Sequence, residues 1–315
     1  MEQFLSVGEN KEILFGLVRR SIEENPPADK IVYFCDRQCY QITSNGSTVK
    51  DELECDHEEA DTKLVAYAYH ASAFSSGIVI RSPSADVDIS ILFVYHKLRC
   101  TIYLDNGTNK NRHIYDLNGF SMPEKHRDAL PGNHGMGGND YVGGFFRKGK
   151  KTFWKTCINS DSFVETFGEL GTSLQVSEDL EHNLGQFVCS LYGQKRAKNT
   201  NEARCNIFWD RYNRKGKICE LSMLPPCVGN LKHHIRRSNY VSYIYRHAHQ
   251  LKLNLPRIED HGWTSEGETI WMDECMPAEF AEFVLCEADA DESTVSDDEI
   301  EEEDDYDIDE FELDF

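Results

Sequence analysis

No apolar run in this 315-residue chain approaches the length of a bilayer crossing, which takes about 20 consecutive apolar residues. The start, MEQFLSVGENKEILF, lacks the basic n-region and apolar h-region of a secretory leader. CxxC spacing is missing too. The 11 cysteines are scattered, and the closest two, Cys35 and Cys39, have no second pair at zinc-finger distance. Together these gaps lead to the expectation of free thiols in a reducing intracellular compartment, nuclear or cytoplasmic, with no membrane partner. Basic residues are absent from 287–315, where 17 residues are acidic. That segment accounts for most of the formal charge of −22 and leaves a body of 38 acidic and 33 basic residues. Its low hydrophobicity and single-sign charge predict a disordered tail.

What remains is rich enough in apolar residues, 40% of the chain, to bury a sizeable core. Apolar spacing predicts an amphipathic helix over 1–24, stopped by NPPADK. IVYF and CYQIT read as strands, closed by the turn signal Asn45-Gly46. A helix over 58–74 carries an apolar stripe of Ala60, Leu64, Ala68 and Ala71. IVIRS at 78–82 reads as a buried strand, DVDISILFVYHKL as a helix, and TIYLD and HIYDL as further strands. This alternation predicts an α/β layer with a mainly parallel sheet. Beyond Gly132 the texture turns glycine-rich and then lysine-rich, and 161–252 reads as mostly helical. The expected organisation is an α/β core over 1–160, a helical region over 161–286 and an acidic tail over 287–315.

Three stretches carry chemistry. Glu58, Glu59 and Asp61 stand where a helix begins, and their bland reading is favourable placement at the macrodipole, about 0.3–1 kcal/mol each. Asp86 and Asp88 follow an apolar strand, where open α/β sheets bind ligands, although Asp86 also reads as an N-cap. Magnesium takes oxygen ligands and keeps several waters, so a few carboxylates from separate elements suffice to hold it. The third stretch is GGNDYVGGFFRKGKKTFWK. There Asp140 precedes Arg147, Lys148, Lys150, Lys151 and Lys155, interleaved with glycines that permit close backbone approach to phosphates. Phe145, Phe146, Phe153 and Trp154 among them read as core first and as base-stacking residues second.

As an ordered set, EEAD (58–61), SADVD (84–88), GNDY (138–141) and GGFFRKGKK (143–151) resemble the PIN-like nuclease superfamily in its flap-endonuclease branch. With LPGNHGMGGND, LPPCVGNLKHHIRRSNYVSYIYRHA and HGW…WM, the resemblance is closest to divergent, mobile-element-associated animal proteins with such a domain, and it covers roughly residues 1–280. It implies an N-terminally incomplete PIN-like fold and magnesium (or manganese) ligation by Glu59, Asp86, Asp88 and Asp140, the catalytic set, with Glu58 as a further ligand. Nucleic acid, DNA ahead of RNA, would be gripped by a helix-turn-helix-like segment containing Arg147, Lys148, Lys150, Lys151 and Lys155. The implied activity is metal-dependent phosphodiester hydrolysis; the alternatives are a catalytically inactive nucleic-acid-binding relic and a protein-interaction module. Two departures stand out. His57 occupies the place of the first Glu of the Glu-x-Glu signature, and the family's two opening acid-bearing strands have no counterpart here. The incomplete N-terminal sheet edge then becomes a place for self-association or a protein partner.

Overall fold

A computed structural model of the chain describes residues 8–36, 38–108, 111–215, 220–266 and 269–272. The expected acidic tail lies outside them. The fold is mixed α/β, in two compact units: 1–119 with 247–255, and 120–246 with 256–315. The first division therefore falls at Gly119 and not at 160, because the helices after Phe120 share one core with those beyond 160.

The first unit opens with helix α1 (Gly8–Glu24) and a meander of β1 (Val32–Cys35), β2 (Cys39–Thr43) and β3 (Gly46–Val49). The Cys35 and Cys39 sulfurs meet across the β1–β2 turn, so these two thiols are not free as expected. The β2–β3 turn falls at the Asn45-Gly46 signal, with Gly46 at φ 126°, a region glycine enters at no steric cost. Helix α2 (Ala60–Ser72) then leads to β4 (Gly77–Arg81), α3 (Ala85–Val94), β5 (Thr101–Asn106) and β6 (His113–Asp116). In α3, Val87, Ile89, Ile91, Leu92 and Val94 are all buried, so this helix is apolar around most of its circumference and belongs inside. The sheet is not mainly parallel. β4 and β5 pair in parallel, but β6 returns antiparallel to β5 and the meander is antiparallel throughout. Parallel pairing requires a crossover, and α3 supplies it for β4 and β5.

Residues 247–255 return to this unit as a strap. The Asp56 carboxylate accepts the backbone N–H of Leu253 at 2.8 Å, Asp56 N–H donates to Leu251 O at 3.1 Å, and His57 Nε2 donates to Gln250 O at 2.7 Å. His57 is buried there, and desolvation pushes its pKa down, so the ring is held neutral. His57 is thus a strut of the fold.

The second unit contains α4 (Glu124–Gly137), α5 (Lys150–Ile158), α6 (Asp161–Glu169), α7 (Glu178–Leu191), α8 (Thr200–Lys215) and α9 (Val228–His247). A hairpin of β7 (Trp263–Glu266) and β8 (Thr269–Met272) follows. The glycine-rich texture past Gly132 is not a loop at first, because LPGNHGMG continues α4. A Cβ on Gly132 would come within 2.3 Å of Phe167 O, and one on Gly135 within 2.3 Å of Ser242 Oγ. Each glycine costs the helix about 1 kcal/mol against alanine, and the close contact with α6 and α9 offsets it. Phe145, Phe153, Phe167 and Phe187 meet in the core that α4–α7 build with Leu231 and Ile235 of α9.

One buried cation ties these helices together. The Arg246 guanidinium donates to Leu170 O at 2.8 Å, Gly168 O at 2.7 Å, Phe167 O at 3.1 Å and Asp128 O at 2.7 Å. Burial holds its pKa down, to about 10, still far above neutrality. We expect Arg246→Leu to lower stability by about 3–5 kcal/mol in urea unfolding, since it strands several buried carbonyls at once. Arg246→Lys should recover only part of that, because one ammonium lacks the planar fork. A loss under 1 kcal/mol for Arg246→Leu would show the clamp to be dispensable.

Candidate functional site

The acids of the first unit gather where β4 and β5 end. Arg81, the last residue of β4, lies 3.0 Å from Asp105 near the end of β5, and Arg112 binds the same carboxylate through two nitrogens at 2.6 and 2.7 Å. Asp105 is buried, and the Arg112 guanidinium above all holds its carboxyl below the usual range. This carboxylate is already neutralised. Beside it Ser84 caps α3: its hydroxyl accepts from Asp86 N at 3.3 Å and donates to the Asp61 carboxylate at 2.5 Å. Asp88, one turn into α3, accepts from the Asn106 side chain. Burial pushes its carboxyl up to about 6, which the Asn106 contact only partly offsets.

Of the acids assigned from sequence, Asp86 and Asp88 occupy this region, and the α2 residue that reaches it is Asp61. Glu58 and Glu59 are exposed at the start of α2, with Glu59 at the N-cap position, where its side chain makes no capping bond. The helical period explains the substitution. Asp61 sits within the first turn of α2, two positions past the cap, and so points differently from the two glutamates. Asn106 and Asp105 went unassigned because they are partners only across the sheet, at the end of a strand whose pairing the sequence does not print.

Asp140 belongs to the second unit. It lies exposed in the turn after α4, and the neighbouring Asn139 organises that turn. The Asn139 amide oxygen accepts from Tyr141 N at 3.0 Å and Val142 N at 3.1 Å, its nitrogen donates to Gly135 O at 3.1 Å, and its own N–H bonds Val142 O at 2.9 Å. Among the described residues, no three His, Cys, Asp or Glu side chains come together closely enough to hold a metal ion. At the strand ends Asp61 is engaged with a serine, Asp88 with an asparagine and Asp105 with two arginines, and these acids do not fit a two-magnesium site.

The basic segment is better defined. Phe145 and Lys148 bridge a tight turn in which Arg147 stands at φ 54°, unusual for a residue with a Cβ. Gly149 then forms the N-cap of α5, and no side chain caps that end. Lys150 and Lys151 occupy its first turn, where positive charge opposes the helix dipole, and no acid accompanies them. Arg147, Lys150, Lys151 and Lys155 are exposed, and no ion pair among the described residues engages them or Lys148. The opposite face of α5 buries Phe153 and Cys157. Of the four aromatics in this stretch, Phe145 and Phe153 belong to the core and Trp154 packs partly against it, while Phe146 is 45% exposed.

No family model matches the chain, and neither a curated protein nor a solved structure does.

The titration of Asp88 distinguishes an engaged structural acid from an ion ligand. With a folded pKa near 6 and an unfolded value of about 3.9, the native state binds more protons between pH 4 and 6. The stability Asp88 contributes is therefore full below about pH 4 and is lost as pH rises to 6. Asp88→Asn should remove that slope and raise stability at pH 7 by about 1–3 kcal/mol relative to its effect at pH 4. Chemical denaturation at both pH values checks it. A wild-type chain stabilised by millimolar magnesium, with that response lost in Asp88→Asn, would restore the ion-site reading.

Proposed function

We propose that this chain is a nucleic-acid-binding protein of PIN-like, flap-endonuclease-type character, which grips the sugar–phosphate backbone through the segment Arg147–Lys155 and does so without cleaving it. The observation that carries the reading is the uncapped start of α5, with lysines where the dipole disfavours them and no carboxylate paired to them. A local arrangement that costs stability and has no internal compensation is the mark of a surface built for an external anion. Phosphate suits both halves of the arrangement, since backbone N–H groups at a helix start and flexible cations both bind it. Glu58, Glu59, Asp86, Asp88 and Asp140 are then relics of a magnesium site, with Asp86 and Asp88 now serving α3 and its neighbours.

Magnesium-dependent hydrolysis is the second reading, and the placement of Asp61, Asp86, Asp88 and Asp105 toward the strand ends favours it, although no three of them come together closely enough to hold an ion. Incubation with flap, single-stranded and duplex substrates in magnesium or manganese separates the two: cleavage lost in Asp88→Asn would overturn binding alone. Self-association has its own observation. Among the described strands β4 pairs only with β5, so its other edge has no strand partner, and Val79 is exposed on a face of the sheet. No helix among the described residues is long and apolar enough to cross a membrane.

Replacing Lys148, Lys150 and Lys151 together by alanine should weaken binding at moderate salt and reduce the log–log salt slope by about 0.7–0.9 per lost phosphate contact. Circular dichroism should show the fold retained. An unchanged slope would transfer the proposal to a protein partner. The tail bears on the same surface, because a tethered polyanion competes at high effective concentration with any other anion. Truncation after Cys286 should tighten oligonucleotide binding several-fold at low salt, with the gain fading as salt screens the charge. Equal affinity of the two forms at low salt would exclude that competition.

A further inference from the structure

The turn that precedes α5 forms one wall of a cleft of ≈ 210 Å³ whose other wall is α8. Phe146, Arg147 and Lys148 line it from the turn, Tyr192 from the end of α7, and Ile207 and Arg211 from α8. Three of these side chains are cationic, and no carboxylate lines the cleft. Lys148 Nζ stands 4.9 Å from the centre of the Tyr192 ring, and the Arg147 guanidinium stands 5.3 Å from that of Phe146. Lys148 is half-buried, and burial together with the nearby Arg211 charge pulls its amine below the usual lysine range. Two positive groups held in mutual repulsion, in a hollow with no acid, are relieved by an anion.

The surroundings of the cleft are aromatic as well as basic. Phe208 and Tyr212 stack on α8 at 6.4 Å with an interplanar angle of 6°, on either side of Arg211 in sequence. Of the two rings that line the cleft, Phe146 is 45% exposed and Tyr192 is partly buried beneath Lys148. The hollow is smaller than the roughly 300–1,000 Å³ that encloses a drug-sized ligand or cofactor, so it takes one flat group or one phosphate rather than a whole small molecule. Cations that flank a shallow hollow beside exposed rings suit a strand whose bases are unpaired, because every base has a face to stack and every link a phosphate. A duplex offers only the phosphates.

We infer that the cleft between the Phe146–Lys148 turn and α8 holds one phosphate of an unpaired strand, between Arg147, Lys148 and Arg211, with the neighbouring base stacked on Phe146 at its rim. This gives the proposed nucleic-acid interface a preference for single strands, and it rests on that reading. Lys150, Lys151 and Lys155 then act as a general phosphate surface beside a site that senses bases.

The test uses the full-length protein and fluorescence anisotropy at about 50 mM salt. Three oligonucleotides of about 12 nucleotides serve as probes: a thymidine strand, a strand of the same length with abasic sugars at most positions, and a duplex. The thymidine strand should bind at least about tenfold more tightly than the abasic one, which carries the same phosphates. Phe146→Ala and Arg211→Gln each remove an exposed side chain, and each should weaken thymidine-strand binding about five- to twentyfold and erase the preference over the abasic strand. Lys151→Gln should weaken all three probes by a common factor and leave the preference intact. Equal binding of thymidine and abasic strands by the wild-type protein, still weakened by Lys151→Gln, would overturn the cleft while the phosphate-binding function stands. Absence of binding to every probe at low salt would overturn both. A phosphotyrosine peptide that binds more tightly than the thymidine strand, with the same loss in Arg211→Gln, would overturn the nucleotide assignment in favour of a protein ligand.

Discussion

Helix α6 ends inside the second unit, where Thr172 bonds Glu169 O and Arg246 meets the buried carbonyls of Phe167, Gly168 and Leu170. Helix ends leave such carbonyls orphaned and slightly negative, so a buried guanidinium serves both as donor set and as counter-charge. Its reach fixes the register of α9 against α4 and α6. On the same face of α9, Asn239 accepts from Gly171 N at 2.8 Å and donates to Ser173 O at 2.7 Å, and Ser242 lies against Gly135 and Pro131. These contacts are polar and short, and they demand glycine opposite them. Gly171, at φ 81°, has no room for a Cβ because the Ser242 carbonyl carbon would stand 2.5 Å away. The phenylalanine core grows on this polar frame, and it in turn anchors Phe145 and Phe153 on either side of the basic turn.

The first unit shows the opposite use of charge. Its carboxylates at the strand ends are drawn into internal contacts: Asp105 between two arginines, Asp61 on the capping serine, Asp88 on an asparagine, Asp56 on the returning strap. Each contact answers a local need of the fold, and each engages an oxygen that an ion would use. The second unit pairs Lys125, Arg127, Arg214 and Lys232 with carboxylates but leaves Arg147, Lys150, Lys151 and Lys155 outward, with no ion pair among the described residues. Strand-end acids engaged internally and one basic segment left unpaired agree with the proposed polyanion partner.

Within the proposed interface, the two kinds of contact divide between separate elements. The exposed lysines of α5 stand on a helix whose other side is core, so their chains are free to follow a backbone. The hollow beside them is made by α7, α8 and the turn at once, and its cations are fixed by rings: Lys148 by Tyr192 and Arg147 by Phe146. Flexible cations give attraction without selection, and fixed ones beside aromatic faces give selection.

Local patterns determined a good part of this protein. The SADVD stretch was legible as a helix start after a strand, although its cap is Ser84 and not the expected Asp86, and Asn45-Gly46 was legible as a turn because few residues adopt its backbone. The helical character of α6–α9 and the exposed charge of 147–155 were also open to reading, since periodicity and charge density are properties of neighbours in sequence. The sheet was misjudged as mainly parallel, because pairing direction depends on partners that a strand meets only in space. LPGNHGMG is legible in sequence only as glycine-rich, whereas in the fold the missing side chains are what let α4 touch α6 and α9. Sequence does not separate Glu59 from Asp61 or set Arg211 and Tyr192 apart, since which residues share a site is set by the packing of distant elements. Sequence thus decided which groups are charged, apolar or turn-forming, and tertiary packing decided which of them meet, because burial and close approach exist only once the helices have docked.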